Sequence, residues 1–268
     1  MAKPQGIIIY EGPSMIDGKP IVVIATGWTR CQNEKTGKMI QTWIMRSDIP
    51  PVEANKIGED RSVCGDCKHR LWKTCYVSIF NAPYQIYKAY KRGRYEHFSP
   101  MNSFWFNTHK LRLGSYGEPV AVPIKVWQGL VEMADGHTGY THQWKNCDKG
   151  FKNFIMASVD NEKEKIQAQE MGWKTFRVRL EDDELHDDEI SCPASEEGGK
   201  KTTCTKCLLC CGTSRASKNT AIIAHGGQYG EKKRRFIRIV KLIRRKKKYT
   251  HLIPQYKGKQ NGHKSKVH

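Results

Sequence analysis

From Lys232 to His268 the chain has no aspartate or glutamate, although 15 lysines and arginines fall there. Long apolar runs are missing too. The opening seven residues hold no stretch of signal-peptide length, and the strand-like run at 21–25 is far shorter than a bilayer requires. The expectation is a cytoplasmic protein with no transmembrane segment. There is no glycine-rich phosphate loop with its lysine, no paired-histidine metalloprotease motif and no internal repeat. P-loop nucleotide hydrolysis and zincin-type proteolysis are excluded on that ground. The sequence is silent on oligomeric state.

Charge is present but unevenly placed. The formal net charge is +19, from 46 basic and 27 acidic residues. Setting aside the 15 basic residues of the C-terminal stretch leaves 31 basic against 27 acidic over residues 1–231. A nearly neutral body of one substantial core is expected at 1–231, followed by a basic tail at 232–268.

The 10 cysteines carry the chemistry. Cys64, Cys67 and Cys75 form one group; Cys192, Cys204, Cys207 and Cys210 form another, with Cys211 adjacent. Two-residue gaps let both sulfurs reach one metal ion or cluster, and a reducing compartment favours ligation over disulfides. Three thiolates on a cubane would leave one iron open. His69 is the nearest fourth ligand if the first site is structural, with iron or zinc. Four thiolates suit a fully ligated iron–sulfur cluster or tetrahedral zinc. Whether the two groups form one site or two stays open.

Alternation and turns predict strands at 7–10, 21–24 and 41–45, with a hairpin at Asp17-Gly18. An aromatic stripe from Val77 through Phe80, Tyr84, Tyr87 and Tyr90 predicts helix. Strands are expected at 104–106, 111–113, 154–158, 175–180 and 221–224. Between them, Pro123 opens an amphipathic helix, and Asn161 with Glu164 starts one that Gly172 stops. Strand alternating with helix is the pattern of an α/β fold, either a partial or closed (β/α) barrel or a doubly wound sheet. The acidic run at 181–189 reads as solvated surface. His142 and Tyr140, at the end of the short segment 138–142, are candidate catalytic residues facing a pocket, and His225 is a candidate of the same kind. Arg112, Arg177 and Arg179 alternate along strands and require anions if they point inward.

Tyr116-Gly-Glu-Pro119, after the strand at 111–113, resembles the glycine-glutamate-proline motif that follows the second strand of the S-adenosylmethionine radical enzymes. Those enzymes are partial barrels with a three-cysteine iron–sulfur site near the start, and several carry a cysteine-rich auxiliary cluster region near the C-terminus. The resemblance implies that Gly117 and Glu118 contact S-adenosylmethionine and that residues 192–211 hold a second cluster. The family spaces its cysteines by three residues then two, whereas this chain has two then seven, and tyrosine replaces the motif's first glycine. The whole arrangement over residues 7–227, including Gly139-Tyr-Thr-His142 and Trp144, is similar to a group of phage-encoded cysteine-rich proteins. That likeness implies the host cytoplasm and transfers no activity; phage replication or host takeover is the setting of the zinc-stabilised alternative below.

The tail offers Lys232, Lys233, Arg234, Arg235, Arg238, Lys241, Arg244, Arg245, Lys246, Lys247 and Lys248 to a phosphate backbone, with Phe236, Ile239, Val240 and Ile243 on one helical face. Nucleic acid is the expected partner; an anionic membrane surface and a disordered solubilising tail are the alternatives. Residues 249–268 are expected to be disordered. Two functions follow: an iron–sulfur enzyme, S-adenosylmethionine-dependent, acting on or near nucleic acid, or a zinc-stabilised DNA- or RNA-binding protein.

Overall fold

The computed structural model describes residues 3–29, 33–213, 218–224 and 230–249, without the side chains of 245–249. Cys31, His225, residues 250–268 and the side chains of Arg245, Lys246, Lys247 and Lys248 lie outside the described residues.

Apolar alternation builds an antiparallel start. β1 (Ile7–Pro13) turns at Gly18, whose φ of +75° suits glycine, into β2 (Pro20–Thr26), and β2 pairs antiparallel with β3 (Met39–Arg46). The two-residue β4 (Glu96–His97) lies beside β1. β5 (Lys110–Tyr116), β6 (His137–Thr141), β7 (Met156–Val159), β8 (Thr175–Arg179), β9 (Glu189–Ser191) and β10 (Asn219–Ile223) complete the sheet. The order is β4-β1-β2-β3-β5-β6-β7-β8-β10-β9, and every neighbour from β3 onward is parallel. The fold is mixed α/β with one open, mostly parallel sheet. A closed barrel is not formed, because β4 and β9 remain unjoined edges.

Short helices α1 (Pro51–Ile57), α2 (Arg61–Cys64) and α3 (Lys68–Leu71) follow β3. α4 (Ala82–Lys91) and α5 (Phe104–Asn107) precede β5. α6 (Ile124–Met133) links β5 to β6, and α7 (Glu162–Glu170) links β7 to β8. α8 (Cys204–Cys207) and α9 (Glu231–Tyr249) complete the order. α6 buries Trp127 and Leu130, and the Trp127 indole donates to Pro119 O at 2.7 Å. Removing so large a side chain from water is worth about 2–3 kcal/mol. α7 starts where expected: Asn161 Oδ1 accepts from Glu164 N at 2.9 Å, while the Glu164 carboxylate accepts from Asp160 N at 3.0 Å. Gly172, at φ +81°, follows its last turn.

Two expectations fail locally. Residues 104–106 form a helical turn instead of a strand, since only Phe106 reaches the core, edge-on to Trp28 at 5.2 Å, while Phe104 is exposed. A three-residue apolar run does not distinguish the two periods. The aromatic helix begins at Ala82, which leaves Val77 and Phe80 ahead of it and Phe80 66 % exposed.

Register divides the parallel strands into two faces. Leu111, Leu113, Ala157 and Val159 are buried in the main core, which also holds Trp127. Arg112, Thr138, Tyr140, Phe176 and Thr220 share the opposite face. The parallel strands end on a common side, and the residues there are Gly117-Glu118, His142 and Asp160.

Candidate metal centre

The first cysteine group lies over those strand ends. α2 ends in Cys64, Cys67 precedes α3, and Cys75 follows a turn in which Lys73 takes φ +54°. Backbone and side-chain bonds fix this loop to the sheet. Glu118 N donates to Val63 O at 2.6 Å. With its amide oxygen toward the loop, Gln143 accepts from the N–H groups of Asp66 and Cys67 at 3.2 and 3.3 Å. Gly117 makes the close approach possible: at φ +83°, a Cβ there would sit 2.8 Å from Ile44 O.

Glu118 is buried and organises the centre. Its carboxylate accepts from Thr141 Oγ1 at 2.7 Å, from His142 N at 3.0 Å and from His142 Nδ1 at 2.8 Å. The His142 ring also hydrogen-bonds Cys67. Burial works against a charged imidazole there, but Cys67 and Glu118 prevail and push His142 well above its ordinary value. Ligand atoms of Cys67, Glu118 and His142 all lie within 4.8 Å of one another, the one such trio of His, Cys, Asp and Glu among the described residues. Cys64 and Cys75 lie within electrostatic reach of Cys67. Burial first, and then neighbouring Asp60, Cys75, Cys67 and Glu118, raise the Cys64 thiol well above its usual range. Burial raises Cys75 as well. Such a crowd of buried acidic donors is what a bound cation relieves.

Behind this group is a polar set that motif reading passed over. His69 Nε2 lies 3.2 Å from Asp160 Oδ1, and its Nδ1 lies 2.8 Å from Thr74 Oγ1. Lys68 Nζ pairs with Asp160 at 2.7 Å and Glu164 at 2.9 Å. Burial would raise the Asp160 pKa, but His69 and Lys68 hold it far below the carboxylate range. His69 thus faces Asp160, with its ring 5.3 Å from that of His142. Asp160 was findable as the first polar residue after a strand of the parallel run. A cleft of about 180 Å³ opens beside these groups, lined by Lys68, His142, Gln143, Trp144, Lys145 and Glu164 among others.

Comparison with known proteins gives no match: no family model fits the chain, and neither curated proteins nor solved structures resemble it.

The second cysteine group gathers against the other end of the Arg112–Thr220 face. Cys192, Cys204, Cys207 and Cys210 line one small cavity with Thr138, Tyr140 and Phe176. Burial raises Cys204, Cys207 and Cys210, and the thiols add to each other's shifts. The Tyr140 hydroxyl bonds Cys210, so Tyr140 belongs to this group and not beside His142. Arg112 donates to Tyr76 Oη at 2.6 Å. Burial opposes its charge, but the phenols of Tyr76 and Tyr140 and the thiols of Cys204 and Cys210 hold its pKa up. Tyr76 follows Cys75 directly, so Arg112 lies between the two groups. The two cysteine groups therefore stand apart on one sheet, and all nine described cysteines are free thiols.

The remaining candidates have structural partners. Arg177 is buried in a two-bond pair with Glu189, and Arg179 donates to Asp183 O. The acidic run is a set of clasps: Asp188 meets Lys165, Gln169 and Asn219, and Asp183 meets Arg244 at 2.8 Å. No helix among the described residues is long and apolar enough to cross a membrane.

Proposed function

We propose that the chain is an iron–sulfur enzyme that binds S-adenosylmethionine and acts on or near nucleic acid. Cys64, Cys67 and Cys75 would hold the reactive cluster, and Cys192, Cys204, Cys207 and Cys210 a second one. The carrying observation is three thiols, Cys67 buried and Cys64 and Cys75 half-buried, gathered at the C-terminal ends of parallel strands, between the first such strand, β3, and the second, β5, with Gly117-Glu118 immediately after β5. That is the order the radical-enzyme resemblance implies, and the sequential parallel run from β3 to β10 reads as its partial barrel. When bound, the cluster would supply the electron that cleaves the cofactor reductively. The chain's own part is to hold three thiolates, to anchor the His142 ring between Glu118 and Cys67, and to limit water at the strand ends.

Spacing supports a cluster over zinc in the second group only, since Cys67, Glu118 and His142 of the first lie within 4.8 Å of one another, as ligands of a single ion would. No three of the four thiols in the second group lie mutually within 4.8 Å. Sulfurs on one tetrahedral zinc, at Zn–S of about 2.3 Å, come within about 3.8 Å of each other. A cluster fills the wider gap. Arg112, in reach of Cys204 and Cys210 and without a carboxylate ion pair among the described residues, suits the net negative charge of a four-thiolate centre.

Anaerobically purified protein should be brown, with about four irons per cluster and a broad absorption near roughly 400 nm. It should cleave S-adenosylmethionine under reduction, and Cys67→Ala should not. Colourless protein with zinc and no iron would overturn the reading and leave a zinc-stabilised nucleic-acid-binding protein. A second reading rests on the Glu118–His142–Cys67 line, which is also the geometry of an activated thiol nucleophile. Metal-free purified protein alkylated selectively at Cys67 near neutral pH would favour it. Crowding by Cys64 and Cys75 serves no such nucleophile, and the metal reading is preferred.

A further inference from the structure

α9 does not trail from the body. Phe236, 4 % exposed, packs with Leu180, Ala224 and Trp72, and Ile237 and Val240 join the same cluster. Its ring lies 5.5 Å from that of His69, which itself contacts Asp160 and His142. One turn earlier, Lys232 Nζ donates to Val77 O at 3.0 Å, two residues beyond Cys75. At the far end Arg244 pairs with Asp183. The helix is therefore fastened at Lys232, Phe236 and Arg244, with its first turns beside the three-cysteine site.

This docking decides which partner the helix can serve. A membrane-surface helix needs its apolar face free to enter the headgroup region. Here the first turns use that face against the body at Phe236, Ile237 and Val240, and only Leu242 and Ile243 further along stay exposed. What α9 turns outward is Arg234, Arg235, Arg238 and Lys241, all at least partly exposed and without an ion pair among the described residues. Beside its first turns, in the segment that Lys232 holds, Tyr76 and Phe80 are 54 % and 66 % exposed. Cationic side chains with bare aromatic rings next to them are the parts that hold a single strand, phosphates on the charges and bases on the rings.

We propose that α9 and the Tyr76–Phe80 segment form a docking strip for single-stranded nucleic acid, laying the strand across the mouth of the three-cysteine site. The class of substrate for that site is then a polynucleotide, presented by a fixed wall of the site and not by a distant tether. This deepens the iron–sulfur reading, which it takes for the reactive centre, but the binding itself does not depend on which metal is held.

The test uses full-length purified protein, with metal content measured on the same sample. The probe is a fluorescein-labelled single-stranded oligonucleotide of about 20 nucleotides, longer than one binding site requires. Binding by anisotropy should weaken steeply with salt. Arg234→Gln/Arg235→Gln/Arg238→Gln should bind roughly 10–100-fold more weakly and lower the salt slope by about 0.7 for each phosphate no longer neutralised. Tyr76→Ala/Phe80→Ala should weaken binding several-fold at every salt concentration and leave the slope unchanged. Photocrosslinking of a 4-thiouridine oligonucleotide should mark Tyr76, Phe80 or α9. Unchanged affinity in the arginine variant, crosslinks confined to other surfaces, or binding to phosphatidylserine vesicles in place of the oligonucleotide would each overturn the proposal. Oligonucleotide binding with crosslinks at the strip in a zinc-only protein would keep the docking strip while removing the iron–sulfur reading.

Discussion

Glu118 receives hydrogen bonds from Thr141, from the His142 backbone and from the His142 ring, at the one place where the two strand ends and the cysteine loop meet. Replacing it with glutamine keeps the shape but turns one acceptor oxygen into a donor facing donors. Glu118→Gln is expected to weaken retention of the first centre's metal by about 10–100-fold in chelator competition, the usual effect of removing a partner that orients a ligand. The second centre should keep its metal, so total metal falls by the share of one site. At this scale the sequence singled out three residues that the fold brings together, Cys67, Glu118 and His142, because their residue types name a chemistry. Tyr140 stands with the other group from the one its motif suggests, because it lies within β6 on the Arg112–Thr220 face, whereas His142 lies past the end of β6, where its N–H and ring turn to Glu118. Lys68, Asp160, Gln143 and Arg112 escaped assignment to the centres for a related reason. Their partners are distant along the chain, and only the fold brings Lys68 to Glu164 or Gln143 to Cys67.

Elements reach the centre through two tight places. One is the exit of β5, where Gly117 passes Ile44 O and Val63 O. Gly117→Ala combines a left-handed backbone with a clash against backbone atoms, so urea unfolding should show a loss of at least about 1–3 kcal/mol. The other is the clasp of Asp188 on Lys165, Gln169 and Asn219, which ties α7 to β10. Burial opposes the Asp188 charge, but Lys165 and Gln169 outweigh it and lower its pKa from 3.8 to about 2. A carboxylate whose folded value is depressed stabilises the fold above its unfolded pKa, and the benefit disappears as pH falls through the folded value. Since Asp188 is nearly half exposed, Asp188→Asn should cost under about 1 kcal/mol near neutral pH. The difference in melting between wild type and variant should shrink between about pH 4 and pH 2. The helices at 124–133 and 162–170 were legible because caps and apolar period agree. The turn at 104–107 was not, because three aromatic residues carry no period.

For the molecule as a whole, the basic end is held to the nearly neutral body by a cluster centred on Phe236, with Lys232 and Arg244 fastened on either side of it. Phe236→Asp places a charge among Leu180, Ala224 and Trp72 and should release α9. Limited trypsin digestion should then cut within 232–248 markedly faster than in wild type, while the cysteine centres keep their metal. The parallel core was foreseeable from alternating strands and helices, and its openness was not, since closure depends on strand tilt and stagger that no single segment records. That openness leaves two edges, and both are very short: β4 has two residues and β9 has three. The part of β1 that β4 leaves uncovered, residues 9–13, follows an irregular register at Ile8–Tyr10 and ends in Gly12-Pro13, features that discourage a neighbouring copy from extending the ladder. Many copies could therefore crowd along one polyanion without zipping into aggregates, which a long bare edge at the same local concentration would invite.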